Sequence, residues 1–484
     1  MKLVNKISTL AVVALGTFAL SGCNDWFDAR SESEIYAEEH FANQSGFADQ
    51  LTGAYTSMIS TSLYGMNSTF GLMEVLSQNY DINTSNSTYT TAASYDYEAV
   101  AVKSMIENMW NKSYNVIANL NLMLQYIDNG TYFDQGNYEM YKGAALGLRA
   151  FLHFDLMRQF APMPKSEPNT LSIPYVKEYT TQVTPQSTVA ENMANIKADL
   201  KAAMELLQVD PIYTSTADSA YYVRSDAQIR FNYYAALATL ARVYQWEGNI
   251  DSARICAEQV INDDKFSWVH YTSVTTSHAY ERDVLFSPEH IFRLYYYDME
   301  SAANNYFHTY SGQENPNLLS PNEAKILDIY EVNTAALGGD YRNQYWYIYD
   351  GGAERCLAKF WQPEGGRYLN QMPLIRKSEM YYIAAESYAN SDPNYAAKLL
   401  NEVRANRGLA NETIPILDTL NATPEYINNE VYKEMRKELI GEGQMFYYYK
   451  RHGYETIPGS AVSAGRDVYV FDMPENEIEF GDRK

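Results

Sequence analysis

Cysteine, basic charge and long apolar runs are all scarce in this chain. Three cysteines among 484 residues are too few for the disulfide framework that holds small exported domains together. Cys256 sits in a helical pattern and Cys356 follows a Gly-Gly turn, so both are expected as small buried hydrophobes. No CxxC, HExxH or zinc ligand set occurs, and no metal site is predicted, with Ca²⁺ in acidic loops the one cation the composition would suit. No Gly-x-Ser-x-Gly elbow occurs either. Lys plus Arg total 37 against 60 for Asp plus Glu, a net charge of -23. That balance repels phosphate backbones and anionic lipid, which excludes nucleic acid as a partner. The longest apolar stretch, Ile7 to Leu20, falls short of the roughly 20 residues a spanning helix needs.

What is present is a globular composition, 46% apolar and 20% charged, far from the charge excess of disorder. Tyrosine is abundant, at 44 residues; its flat ring and hydroxyl suit wet, polar ligands. The N-terminus reads as an address. A basic start, Met1 to Lys6, precedes the apolar run, as in a signal peptide. Leu20-Ser21-Gly22-Cys23 resembles a bacterial lipobox, which implies that residues 1–22 are removed and Cys23 is acylated (palmitate among the chains). Two or more acyl chains suffice for stable anchoring in the outer membrane. Residues 23–30 then form a tether, and residues 31–484 a single domain.

Helical periodicity dominates that domain. It predicts helices over Lys103 to Asp128, Tyr138 to Phe160 and Val189 to Leu207, the second carrying an Ala/Gly run suited to close packing. Phe231 to Gly248 and Asp251 to Asn262 read as a helix pair in which Leu240, Ala241, Tyr244, Gly248 and Ala253 take tetratricopeptide positions. Lys377 to Arg407 repeats the pattern with Ala384, Ala385, Tyr388 and Ala397. The fold class is therefore mostly α, a scaffold of tetratricopeptide-like pairs, and such repeats serve docking more than chemistry. Between the pairs, about residues 266–366, lies an irregular loop-rich insert with short strands at Glu289 to Tyr297 and Tyr345 to Tyr349. A second irregular stretch runs from Asn79 to Tyr97. Both have the composition of a binding surface on a rigid frame.

Several segments, in order, resemble the SusD/RagB family of surface lipoproteins from Bacteroidetes. They are the lipobox, Trp110 with Tyr114, Ile117 and Asn119, and Leu148-Arg149-Ala150-Phe151-Leu152-His153-Phe154-Asp155-Leu156. They continue with Arg376 through Glu379 to Glu386, Leu400 to Arg407, Glu430 to Gly443, and Asp472 to Ile478. Tyr449-Lys450-Arg451 departs from the family pattern. The resemblance implies a helical fold with a glycan-binding face, and delivery of oligosaccharide to a SusC-like, TonB-dependent outer-membrane porin.

Sugars bind by stacking a pyranose on Trp or Tyr while Asn, Asp and Arg grip its hydroxyls. The candidates are Tyr80, Asn83, Tyr89 and Tyr95 in the first stretch, and Trp268, Tyr296, Tyr306, Arg342, Trp346 and Trp361 in the insert. No catalytic residue is expected. Hydrolysis needs two carboxylates about 5–10 Å apart, and no motif pairs them; His153 and Asp155 point to different helix faces. The alternative is a scaffold or lid in a transporter complex that binds no sugar, or one that carries another nutrient.

Overall fold

The computed structural model describes residues 37–130, 132–309, 315–332, 339–352, 354–409 and 422–483. The lipobox with Cys23 and the tether lie outside these residues. The main helices are α1 (Gln44–Met58), α2 (Val100–Ile127), α3 (Asn137–Phe160), α4 (Val189–Leu206), α5 (Tyr233–Glu247), α6 (Ile250–Asp263), α7 (Lys377–Tyr388), α8 (Pro393–Arg404), α9 (Pro424–Glu438) and α10 (Met445–His452). Local chemistry sets their ends. Asn43, Thr188 and Asn232 cap N-termini by accepting backbone N–H groups, Thr188 in a reciprocal capping box with Glu191. Gly248, at φ 79°, closes α5 in the left-handed conformation.

Each helix packs on the next: α1 on α2, α2 on α3, α3 on α4, α4 on α5, α5 on α6. The stack then continues from α6 directly to α7, and on to α8 and α9. The two predicted repeat pairs are thus adjacent turns of one solenoid, and everything between Asp264 and Arg376 is an excursion from it. The Lys377 ammonium reaches the Asp264 carboxylate at 2.7 Å and closes the base of the excursion. The excursion is wider than the predicted 266–366, and it holds short helices besides strands.

Two small antiparallel ribbons order it. Strands β1 (His290–Tyr295) and β4 (Gln371–Arg376) pair, as do β2 (Tyr347–Tyr349) and β3 (Arg355–Leu357). Buried Asn232 ties β1 to the solenoid, its side-chain amide donating to the Ile291 and Ala227 carbonyls at 2.9 Å each. The stretch Asn79 to Tyr97, predicted irregular, contains a helix over Ser87–Ala93 that packs on α2. Cys256 and Cys356 are both buried and free.

A charge cluster welds the excursion to the solenoid. Glu438 sits at its centre and accepts from Arg342 at 3.0 Å, from Arg407 at 2.6 and 3.0 Å, and from Arg376. Glu289, Asp340, Glu434 and Glu442 complete the pairing. Breaking one member of such a set strands a buried charge, at a cost of roughly 3–5 kcal/mol.

Candidate functional site

Within the excursion, segments 279–285 and 361–369 wrap a cavity of about 220 Å³. Tyr280, Arg282, Tyr345, Trp361 and Tyr368 line it, with Leu285, Pro363 and Leu369 supplying apolar surface. Trp361 is the best-fixed of the aromatics. Its indole N–H donates to the Phe307 carbonyl at 2.9 Å, and His308 stacks on it, centroids 4.0 Å apart and planes 19° from parallel. Asp350 in turn holds His308, its Oδ2 lying 3.0 Å from Nδ1 while accepting the Thr309 N–H at 2.8 Å. A carboxylate orients an imidazole and the imidazole orients an indole.

The polar groups around the ring are similarly held. Arg282 donates through Nε to the Thr276 carbonyl at 2.8 Å and lies 5.0 Å above the Tyr345 ring. Lys359 forms part of the lining from below, donating to the Ile440 carbonyl at 2.9 Å and to Glu442 at 2.6 Å. Burial pushes its ammonium down to about 8 against the pull of Glu442. Burial and the Asp283 charge push the Tyr368 phenol above its ordinary value, so it is a protonated donor at neutral pH. The lining contains no Asp or Glu.

Beside this cavity, Tyr295 and Tyr297 stand 63% and 68% exposed. Asn370 donates to the Tyr295 hydroxyl at 3.3 Å and takes its own position from Gln362, the neighbour of Trp361, at 2.7 Å. Tyr297 borders an open groove with Asp298, Glu300, Ser301, Asn304 and Asn305. Asn370 and Gln362 thus link Tyr295 to the neighbour of Trp361, and the groove beside Tyr297 adds hydroxyl, amide and carboxylate groups.

Of the residues predicted from sequence, Trp361 lines the cavity. Tyr296 does not face solvent: Phe292 and Leu294 point inward on β1, and the period of two carries Tyr296 inward with them while its neighbours emerge. Arg342 and Trp346 are fully buried. Arg342 serves the charge cluster, and Trp346 packs against Phe286 and donates to the Val284 carbonyl at 2.6 Å. Tyr80, Tyr89 and Tyr95 are core residues, because the helix over Ser87–Ala93 folds that stretch onto α2. Trp268 is half-buried against Tyr381 on the solenoid, and Tyr306 against Phe70. Asn83 turns its carbonyl oxygen back to the Ser85 N–H at 2.9 Å, an Asx turn. Tyr280, Tyr345, Tyr368 and Arg282 were missed, and no periodicity marks them. Among the described residues, no three His, Cys, Asp or Glu side chains gather to hold a metal, Ca²⁺ included.

Two family models match the chain. Residues 25–245 fit one described as starch-binding, associating with outer membrane, and residues 327–477 fit that of the SusD family. Solved structures agree over nearly the whole length. A SusD superfamily protein from Bacteroides fragilis aligns with a TM-score of 0.71 at 21% identity, covering 91% of this chain and 99% of its own. A SusD-like carbohydrate binding protein from Bacteroides vulgatus gives 0.69 at 18% identity, with 91% and 97% covered. A laminarin binding SusD-like protein gives 0.68 at 17%, with 91% and 98% covered. No curated protein shows a significant match. With the fold shared over nearly the whole chain by these structures, and family models matched at both ends, the chain belongs to the SusD/RagB family.

Proposed function

We propose that the protein is a non-catalytic glycan-binding lipoprotein of the outer membrane. It captures a neutral oligosaccharide on the Trp361 face and hands it to a TonB-dependent transporter, with acyl chains on Cys23 as its anchor. The observation that carries this reading is the fixed, carboxylate-free aromatic cavity. Trp361, Tyr280, Tyr345 and Tyr368 offer ring faces, Arg282 and Tyr368 offer donors, and hydrolysis would need a pair of carboxylates there. The cavity is smaller than the roughly 300 Å³ of an ordinary ligand pocket. One or two sugar units therefore enter it while the rest of the chain lies along Tyr295 and Tyr297. The laminarin-binding and starch-binding descriptions of related proteins favour a glucan.

The test is affinity electrophoresis of residues 24–484 through gels holding laminarin, starch and a panel of other polysaccharides, with product analysis of each lane. Retardation by one glycan without new reducing ends is the expected result. Trp361→Ala should then weaken binding by about 2 kcal/mol, roughly thirtyfold, as loss of a central aromatic anchor does, with the melting temperature little changed. No retardation in any gel would favour the scaffold reading or a non-glycan cargo, and new reducing ends would overturn the non-catalytic one.

A further inference from the structure

A larger cavity, of about 650 Å³, lies outside the excursion, where α3, α5, α7 and α10 end close together. Its polar groups are unbalanced. Lys450 is buried, and its ammonium donates to the Arg158 and Ala161 carbonyls at 2.7 and 2.8 Å. Its third N–H has only the Trp246 ring, 5.9 Å away. No carboxylate pairs with Lys450 among the described residues, and burial pushes its ammonium well below the usual range, which a bound anion would reverse. Lys165, on the exposed rim, is likewise outside every ion pair among the described residues. The Trp246 indole N–H is buried without an acceptor. So is the Arg158 Nε–H, in a small adjoining cavity of about 40 Å³ that shares Trp246 with the larger one. Glu386 is the one carboxylate of the lining, and it is already engaged by Arg451 at 2.8 Å and Gln245 at 3.0 Å.

The site thus presents two buried N–H groups with no acceptor, on Trp246 and on Arg158 in the adjoining cavity, beside the buried Lys450 and the solvent-exposed Lys165, in a chain of net charge -23. A buried charge or donor left unpaired is costly, and an anion with several oxygens would satisfy it. The remaining lining is apolar at Met163 and Ile250 and neutral-polar at Ser166, Ser387, Asn390 and Asn428, with Arg451 and His452 beside Glu386. That set suits a ring carrying hydroxyls better than a fatty or purely aromatic acid. We propose that this cavity binds a small acidic sugar of the hexuronate class, its carboxylate between Lys450 and Lys165. The site is separate from the Trp361 cavity and does not depend on the reading given to it.

Calorimetric titration of residues 24–484 with glucuronate, glucose and acetate tests the proposal. Glucuronate should bind saturably and acetate at least about tenfold more weakly, with affinity falling as salt rises; any glucose binding should belong to the Trp361 cavity and be lost in Trp361→Ala. Lys165→Gln, on the rim, should weaken glucuronate about tenfold or more without moving the melting temperature. Lys450→Met should do the same where it folds. Trp361→Ala should leave glucuronate binding unchanged. Absence of glucuronate binding, equal binding of acetate, equal binding of glucose by Trp361→Ala, or indifference to Lys165→Gln would each overturn the assignment.

Discussion

Arg342 illustrates how one residue type serves opposite purposes at the residue scale. An arginine in an aromatic insert looks like a sugar ligand, yet this one has no exposed surface and spends its guanidinium on Asp340, Glu434 and Glu438. Arg342→Ala is therefore expected to destabilise the fold by about 3–5 kcal/mol, seen as a lowered denaturation midpoint, rather than to weaken glycan binding in protein that stays folded. The same cluster makes stability depend on pH. Burial alone would raise the Glu434 carboxyl, but Lys437, Arg342 and Arg404 outweigh it and hold it at about 2. His153 is pushed down to about 3, chiefly by burial, and is neutral in the folded chain. Unfolded, the two groups would take up protons near 4.5 and 6.5, well above their folded values. The share of stability that these two groups supply is thus full above about pH 7, declines first as His153 favours the unfolded state, and falls more steeply below about 4.5. In between, Asp283, raised by burial to about 6, works against that decline. Urea midpoints measured between pH 4 and 8 should follow that course, and a flat profile would contradict it.

At the scale of elements, the long helices and the two repeat pairs were legible in the sequence to within a few residues. Their apolar spacing and their Asn, Thr and Gly ends are local signals, and burial reinforces them. The Ala/Gly run of α3 is a clear case: a Cβ on Gly147 would meet the Phe231 ring at 2.2 Å. Ala is favoured over Gly in a helix by up to about 1 kcal/mol, but overpacking a core costs about 1–3. Gly147→Ala should therefore lower the melting temperature, despite its better propensity. The binding face was much less legible. Tyrosines in the core and at the surface look alike in a chain with 44 of them, and Tyr280, Trp361 and Tyr368 meet only through loops. Tyr295 and Tyr297 were within reach, since the inward Phe292 and Leu294 set the register of β1. The motifs that carry the family resemblance mark something else. Glu379 pairs with Arg242, Glu386 with Arg451, and both Arg376 and Arg407 with Glu438; they record how the solenoid is locked, not what it binds.

At the scale of the whole molecule, the function proposed divides anchoring, through Cys23, from capture, on the Trp361 face. Cys23→Ala should release the protein from membranes in fractionated cells while leaving glycan retardation in gels unchanged; loss of retardation would contradict the division. The excursion, by contrast, is not separable. Its last strand runs straight from Arg376 into α7, its first residue is bridged to Lys377, and its arginines find their carboxylates on α9. Cut out alone, residues 264–376 would carry Arg342 and Arg376 without Glu434 and Glu438. The outer loops 279–285 and 361–369 stand outside that charge cluster, so residues there can be substituted without stranding a buried charge. They are the bits of a drill whose chuck stays the same.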